Sequence, residues 1–211
     1  MIQLRAILSN FTAQEIAMDT NLLEQKIRKL IAFNPSDFLI FASHLESVQL
    51  KKNELWESPG KIASHAGFIN KGIIRAYQLK DGAEFIHEFY TEGDFFGDYI
   101  SYQNQLSTDV VLSAIEDCEI LRISFRAIEE LSDQVPDVKR FSEFIGKQKE
   151  KQLYDRAASL LTNTPEERYK QLLQERPDLI QRLPQYYLAQ YLGVTPISLS
   201  RIRKRIFINK R

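Results

Sequence analysis

The sequence predicts an α+β protein: an antiparallel β-roll with flanking helices, then a long helix, then a C-terminal helix-turn-helix. Three patterns support this prediction. Residues 46–124 form short alternating segments broken by glycine, residues 138–161 have helical periodicity, and residues 185–204 have helix-turn-helix spacing. We therefore divide the chain into three parts, which are residues 1–133, 134–162 and 163–211.

The composition is that of a soluble globular protein. The 211 residues are 44% hydrophobic and 27% charged, which suffices for two compact parts. No stretch is long and apolar enough to cross a membrane, and the N-terminus lacks the pattern of a secretory signal. The single cysteine, Cys118, cannot form an intramolecular disulfide or hold an iron–sulfur cluster. We expect a cytoplasmic location and no metal or other cofactor.

The charges are distributed unevenly, although the formal net charge is zero. No Asp or Glu follows Asp178, and the same stretch holds seven basic residues, which leaves 21 basic against 28 acidic residues in the part before it. A basic end on an acidic body is typical of a protein that binds a polyanion. Charge alone leaves open a solvated basic tail without a partner.

Two helices are expected near the start of the chain. Residues 19–46 place apolar side chains at helical spacing, beginning with Leu22, Leu23, Ile27, Leu30 and Ile31. A second helix follows, and Ser36 is its expected N-cap. Residues 1–17 have a weaker helical pattern, and Met18 is an alternative natural start.

The central part is predicted to be an antiparallel roll. Asp81-Gly82 separates two alternating segments and is a strong signal for a two-residue hairpin. Other glycines punctuate the segments as the corners of a small barrel would, namely Gly60, Gly67, Gly72, Gly93 and Gly97.

The long helix is expected to pair with its copy in a second subunit. Its apolar side chains lie among lysines and glutamines, and the predicted dimer contacts are Phe141, Phe144, Ile145, Tyr154 and Leu161. Gln148 and Gln152 interrupt the apolar stripe, so the coiled coil would be imperfect. A helix packed only on its own roll is the alternative.

A new helix is predicted to begin just after residue 163. Thr164-Pro165-Glu166-Glu167 has the residues of a capping box, with proline at the first helical position. This signal marks the boundary of the C-terminal part.

Residues 185–204 contain the most specific motif of the chain. A helix-turn-helix needs a small residue where its helices cross, a glycine at the turn and apolar residues at set offsets. Counted from Gln185, all seven constrained positions match, namely Leu188, Ala189, Leu192, Gly193, Val194, Leu199 and Ile202. Thr195 and Pro196 then supply an N-cap and a first-turn proline for the second helix.

The outward face of the second helix has the chemistry for double-stranded DNA. Arg201 can donate two hydrogen bonds to guanine in the major groove, and Ile197 can contact a thymine methyl group. Gln185 and Tyr186 open the first helix, where a phosphate is favoured. The other predicted contacts are Thr195, Ser198, Arg203, Lys204 and Arg205. An ordinary basic helical hairpin is the alternative.

With its parts in this order, the chain resembles the Crp/Fnr superfamily of transcription regulators over nearly its full length. The segment PEERYKQLLQERPDLIQRLPQYYLAQYLGVTPISLSRIRKR resembles short members found in Bacteroidetes. The resemblance implies a cyclic-nucleotide-binding-like roll, a homodimer and a winged-helix-like domain on a two-fold symmetric promoter site, with RNA polymerase as a further candidate partner. Only seven residues follow Lys204, so we expect a reduced wing. Of the cyclic AMP receptor's three base-contacting positions only Arg201 matches, because Pro196 and Ile197 occupy the others.

The resemblance in the sensor rests on the segment EGDFFGDY and on the ungapped stretch that follows it. In members that bind cyclic AMP, this region carries a glycine-glutamate pair and then an arginine-serine pair on the cyclic phosphate. Gly97 and Asp98 stand at the first pair, and Thr108 and Asp109 stand at the second. Because threonine cannot neutralise a phosphate and aspartate repels it, we expect no cyclic AMP binding of the usual kind. The effector is unknown or absent.

Two other functions fit parts of the sequence. A protein-interaction module would place the basic helix on an acidic partner. A cupin-like metalloenzyme needs closely spaced histidines and a glutamate inside the roll, but the matching segment offers only His87. His44 and His65 have no pairing that favours haem or metal, and Cys118 lies in an apolar segment typical of a core. We therefore expect a regulator and not an enzyme.

Overall fold

The predicted α+β architecture is confirmed in the computed structural model, which describes residues 19–208. Two helices precede an eight-stranded roll within this range, and six helices follow it. The predictions for residues 1–17 and for Met18 lie outside the described residues.

The two N-terminal helices pack on the roll, and they are α1 (Asn21–Leu30) and α2 (Pro35–Ala42). Leu23 and Ile27 of α1 are fully buried. The prediction of Ser36 as the N-cap of α2 is wrong. Asn34 caps this helix, because its side-chain oxygen accepts a hydrogen bond from the Ser36 amide at 2.9 Å. Pro35 occupies the first helical position and so places the cap one residue before itself.

The roll consists of two four-stranded antiparallel sheets with a shared core. The strands are β1 (Glu46–Leu50), β2 (Leu55–Glu57), β3 (His65–Lys71), β4 (Ile74–Lys80), β5 (Ala83–Tyr90), β6 (Phe95–Phe96), β7 (Val110–Ala114) and β8 (Cys118–Ser124). One sheet has the order β1-β8-β3-β6, and the other has the order β2-β7-β4-β5. Side chains from both sheets form one buried cluster, which includes Ile69, Leu112 and Ile120.

The predicted hairpin is confirmed. Strand β4 ends and β5 begins on either side of Asp81-Gly82, and the φ angles of the two turn residues are +51° and +76°. Positive φ at both positions is the type I′ geometry, whose twist matches that of the flanking strands. Between β6 and β7 the chain forms a short helix, α3 (Tyr99–Asn104).

Two further helices follow the roll, and they are α4 (Phe125–Gln134) and α5 (Pro136–Thr162). The prediction of Phe141 as a dimer contact is wrong, because its side chain is buried inside the chain's own core. Its ring packs edge-to-face on the rings of Phe33, Phe41 and Phe95. Ile145 packs partly on the same cluster. The first part of α5 therefore completes the roll.

The C-terminal part consists of α6 (Pro165–Glu175), α7 (Pro177–Arg182), α8 (Gln185–Tyr191) and α9 (Pro196–Ile208). The predicted capping box at the start of α6 is confirmed. The Thr164 hydroxyl accepts a hydrogen bond from the Glu167 amide at 3.3 Å, and the Glu167 carboxylate accepts one from the Thr164 amide at 2.8 Å. The two bonds satisfy amide groups that the first turn would otherwise leave unpaired.

The C-terminal helices pack directly on the roll. One buried cluster joins Ile86 and Phe89 of β5 with Tyr169 of α6 and Leu188 of α8. The ring of Tyr191, at the end of α8, also lies 5.3 Å from the ring of Phe89. The roll and the C-terminal helices therefore share one hydrophobic core.

Ion pairs border this shared core, and we call them the docking interface, which comprises Arg176, Arg182, Glu92, Asp94 and Glu116. The Arg182 guanidinium donates to the Glu92 carboxylate at 2.7 Å and also pairs with Glu116. Arg176 lies 3.7 Å from the Asp94 carboxylate. Burial raises the pKa of Glu92, but hydrogen bonds from Arg182 and a backbone amide outweigh it and hold this pKa at about 2.

Candidate nucleic-acid interface and sensor site

Helices α8 and α9 form the predicted helix-turn-helix. Ala189 lies where the two helices cross and is fully buried, so its small side chain lets them approach closely. Gly193 at the turn has a φ of +68°, a conformation that favours glycine. The amides of Gly193 and Val194 donate to carbonyl groups of α8, each at 2.9 Å, and these bonds close the turn.

The motif's apolar positions point inward. Leu188, Leu192, Leu199 and Ile202 are all buried, and Val194 packs against the same cluster. Outside the motif, Arg168 of α6 holds the turn: its Nη2 atom donates to the Leu192 carbonyl at 2.9 Å. This buried arginine is a positioning residue that the motif spacing does not include.

The second helix begins as predicted. Pro196 is its first residue, and the hydroxyl of Thr195 accepts a hydrogen bond from the Ser198 amide at 3.2 Å. The Ser198 side chain is half-buried, and its hydroxyl is 3.0 Å from that of Thr195. Both residues therefore hold the first turn of α9, with Thr195 exposed at its edge.

The candidate recognition face of α9 consists of Ile197, Arg201 and Lys204, which are exposed on one side of the helix. Ile197 is 67% exposed, an unusual position for an isoleucine without a partner. Arg203 is half-buried on the opposite flank, so the structure separates it from this face. Arg205 is exposed beside the face.

The start of α8 is also exposed. Gln185 is its first residue, and Tyr186 follows with its ring open to solvent. The Tyr186 hydroxyl accepts a hydrogen bond from the Gln190 amide group at 2.8 Å, which limits the positions of this ring. Gln185 and Tyr186 are therefore accessible to a binding partner, as the exposed residues of α9 are.

In the sensor site, Asp98 and Thr108 contact each other. The Thr108 hydroxyl donates to the Asp98 carboxylate at 2.6 Å, and the second oxygen of this carboxylate caps α3 by accepting from the Ser101 amide at 3.0 Å. Thr108 is buried, whereas Asp109 is exposed. The predicted pocket residues therefore do not form one open site. The carboxylate of Asp98 already has hydrogen-bond partners, and Asp109 faces solvent.

Aromatic side chains occupy the interior beside this site. The Phe96 ring lies 5.0 Å from the Trp56 ring and 5.8 Å from the Tyr90 ring. Gly97 has no room for a side chain, because a Cβ atom there would lie 3.0 Å from the His65 carbonyl oxygen. Aromatic rings and backbone of the chain thus surround Phe96 and Gly97, while Trp56 and His65 also line a cavity of about 170 Å³.

Comparison with known proteins finds a family match for the roll and structural matches for most of the chain. Residues 47–135 match the family model of the cyclic nucleotide-binding domain. The structure of FixK2 from Bradyrhizobium japonicum superposes with a TM-score of 0.67 at 20% identity, covering 79% of this chain and 86% of that one. A CooA mutant from Carboxydothermus hydrogenoformans gives a TM-score of 0.65 at 19% identity, covering 89% and 84%.

The c-di-GMP responsive regulator CLP from Xanthomonas campestris gives a TM-score of 0.63 at 18% identity and covers 84% of this chain and 93% of that one. The chain shares the fold of these structures, and a protein from Eubacterium rectale that is assigned to the Crp/Fnr family also superposes, with a TM-score of 0.62 at 14% identity, covering 84% of this chain and 85% of that one. The predicted resemblance to this superfamily is therefore confirmed at the level of architecture. No curated protein sequence matches the chain significantly.

Of the remaining dimer candidates, Tyr154 and Leu161 lie in the second half of α5, whereas Phe144 lies in the first half. Tyr154 and Leu161 are 73% and 87% exposed, and Phe144 is half-buried. The prediction omitted two exposed residues of the same segment, Leu153 and Leu160. The four exposed side chains form two pairs, Leu153 with Leu160 and Tyr154 with Leu161, and each pair has the seven-residue spacing of a coiled coil.

Burial changes the pKa of the cysteine and of two histidines. Cys118 is buried, as predicted, and burial raises the pKa of its thiol to about 11, so the reactive thiolate is disfavoured. Burial also lowers the pKa of His65 and of His87. Among residues 19–208, no three His, Cys, Asp or Glu side chains are placed to hold a metal ion. In the same range no helix is both long and apolar enough to span a bilayer.

Proposed function

We propose that this protein is a dimeric, DNA-binding transcription regulator of the Crp/Fnr type whose roll requires no cyclic nucleotide. The observation that carries the proposal is the geometry of α8 and α9. The helices cross at Ala189, and the chain turns between them at Gly193. Ile197, Arg201 and Lys204 are left exposed on one face. A helix of this kind enters the major groove with its first turns.

The chemistry of this face suits base contacts flanked by phosphate contacts. The guanidinium of Arg201 has no carboxylate oxygen within 4 Å among the described residues, so its donors are available to guanine. Ile197 offers an apolar contact to a thymine methyl group. Lys204 and Arg205 add attraction to phosphates, which is independent of sequence.

The dimer is proposed from the exposed apolar side chains of α5. Leu153, Tyr154, Leu160 and Leu161 would each leave water when two copies of the helix pair. A two-fold symmetric pair presents two copies of α9 to two half-sites about one helical turn of DNA apart. The target is therefore expected to be an inverted repeat.

Independence from cyclic nucleotides is proposed from the packed sensor site. The Asp98 carboxylate is bonded to Thr108 and to the Ser101 amide, so binding a ribose hydroxyl would break existing hydrogen bonds. Thr108 and Asp109 occupy the arginine-serine position, and neither side chain carries a positive charge. A cyclic phosphate would therefore lack a charge-assisted hydrogen bond at this position.

DNA binding to the region upstream of the protein's own gene tests this proposal. We expect tighter binding to that duplex than to a scrambled duplex of the same composition. We also expect affinity to fall steeply with salt, with a logarithmic slope of about −0.9 for each phosphate contact. Millimolar cyclic AMP should change neither value. Equal affinity for both duplexes would contradict specific regulation, and a cyclic AMP response would contradict the packed-site argument.

Sedimentation of the protein and of its DNA complex tests the dimer. Leu161→Asp places a charge in the proposed seam and should shift the sedimentation coefficient from that of a dimer to that of a monomer. Leu39→Asp is the matched control, because Leu39 is an exposed leucine of α2 outside the proposed seam. A monomeric unmodified chain, or dimers in both variants, would contradict pairing through α5.

A further inference from the structure

A groove of about 1030 Å³ runs between the first turn of α6 and the exposed side of α9. It adjoins the candidate recognition face, because Arg201 lines both. Its charged lining residues are Glu166, Glu167, Lys170, Arg201, Lys204 and Arg205. The first three of these belong to α6 and lie outside the helix-turn-helix.

The two carboxylates of this groove have different roles. Glu167 is committed to the capping box, since its Oε2 atom accepts from both the amide and the hydroxyl of Thr164 at 2.8 Å. Glu166 instead faces cations: its carboxylate lies 2.9 Å from the Lys170 ammonium and 3.5 Å from the Arg205 guanidinium. The hydrogen bond from Lys170 lowers the pKa of Glu166, which is therefore ionised at neutral pH.

We propose that this groove binds the DNA phosphate backbone through Lys170 and Arg205, and that Glu166 sets the affinity by competing with the phosphates for these two cations. The inference rests on the proposed function and extends it to a second helix. The DNA strand beside a helix in the major groove carries its phosphates along the rim of that groove. Lys170 and Arg205 are exposed at the corresponding rim of the protein.

Glu166 is the feature that makes the proposal specific. A surface built only for strong phosphate attraction would have no carboxylate between its cations. Here each phosphate contact of Lys170 or Arg205 must replace an ion pair with Glu166, which reduces the net gain from binding any DNA sequence. Affinity for every DNA sequence is lowered by the same factor while the base contacts of Arg201 are untouched, so discrimination between sequences is expected to stay the same.

The first test compares Glu166→Gln with the unmodified protein on the upstream duplex and on the scrambled duplex. We expect the variant to bind both about threefold more tightly, because exposed ion pairs are weak. Its salt slope should also be steeper. Glu119→Gln is the matched control, since Glu119 is an exposed carboxylate of β8 that lies 3.7 Å from the Lys71 ammonium. This control makes the same change in net charge, and we expect it to bind as the unmodified protein does.

The second test repeats the substitution in the Lys170→Gln/Arg205→Gln background. We expect this background to lower the magnitude of the salt slope by about 0.9 for each phosphate that is no longer bound. Glu166→Gln should then have no further effect. A gain that persists without the two cations would overturn the inference, because Glu166 would then act on DNA directly.

The outcomes separate the two proposals. If the unmodified protein does not bind DNA, the proposed function fails. If it binds specifically while Glu166→Gln behaves like Glu119→Gln, only the inference about the groove fails. Thermal unfolding of each variant verifies that α6 is intact, which we expect because the capping box uses Thr164 and Glu167.

Discussion

The two sides of the C-terminal helices use basic residues differently. On the side that faces the roll, Arg176 and Arg182 are partly buried and paired with carboxylates of the roll. On the outer side, Arg201 and Lys204 are exposed, and no carboxylate oxygen among the described residues lies within 4 Å of them. Arg205 is intermediate, with Glu166 at 3.5 Å.

This difference indicates which charges are structural and which are available to a partner. A count of basic residues after Asp178 treats Arg182 and Arg201 alike. The first already has two carboxylate partners, so binding a phosphate would cost it those pairs. The second has no ion pair among the described residues to break when it binds a base edge. Pairing within the chain, and not charge alone, therefore distinguishes the two sides.

The largest effect expected from this comparison is that of Arg201→Ala on DNA recognition. The variant no longer donates two hydrogen bonds to guanine, so discrimination between the target and a scrambled duplex should fall by about 1–3 kcal/mol. The free energy of unfolding should stay within about 0.5 kcal/mol of the original, since an exposed residue without partners is removed. Binding titrations and urea unfolding measure the two quantities. If the variant discriminates between the two duplexes as the original does, Arg201 does not belong to the recognition face.

Arg182→Ala should have the reverse effect and serves as the matched control. Hydrogen bonds to charged groups contribute about 1.5–3 kcal/mol, and partial exposure of Arg182 reduces this to about 1–2 kcal/mol of lost stability. Discrimination between duplexes should be retained at a temperature where the variant is folded. If the Arg182→Ala variant keeps the original free energy of unfolding but no longer distinguishes the duplexes, the structural side and the DNA-contacting side are the reverse of those proposed.

The smallest expected effect is a pH dependence of the docking interface. The pKa of Glu92 is about 2 in the folded chain, below its ordinary value of about 4.3. A carboxylate whose pKa is lowered by folding stabilises the protein above its unfolded pKa, and this contribution is lost as the pH falls from about 4.5 towards 2. Unfolding measured between pH 7 and pH 3 should show this loss. Glu92→Gln should have a flatter profile, and an identical profile would contradict the role of the pair.

Sequence reasoning was most successful where local geometry leaves few choices. The helix-turn-helix needs a small residue at Ala189 and positive φ at Gly193, and only certain residue types meet these needs. The hairpin at Asp81-Gly82 and the capping box at Thr164 follow the same logic. Each signal lies within a few residues of the feature it predicts.

Predictions that depended on distant contacts were less successful. Phe141 has the spacing of a dimer contact, but Phe33 and Phe41 lie more than ninety positions earlier and bury it in the monomer. The bond between Asp98 and Thr108 depends on how the chain folds back after α3. The role of Arg168 in holding the turn could not be predicted for the same reason, since its acceptor lies in the turn after α8. No periodicity in the sequence reports such pairs.

The core shared by the roll and the C-terminal helices has a mechanical consequence. Because Ile86 and Phe89 pack in one cluster with Tyr169 and Leu188, α9 cannot tilt without disturbing side chains of β5. The tilt of α9 is therefore coupled to the packing of the strands beneath it. A changed side-chain volume in the roll would thereby shift the helix that we propose contacts the bases.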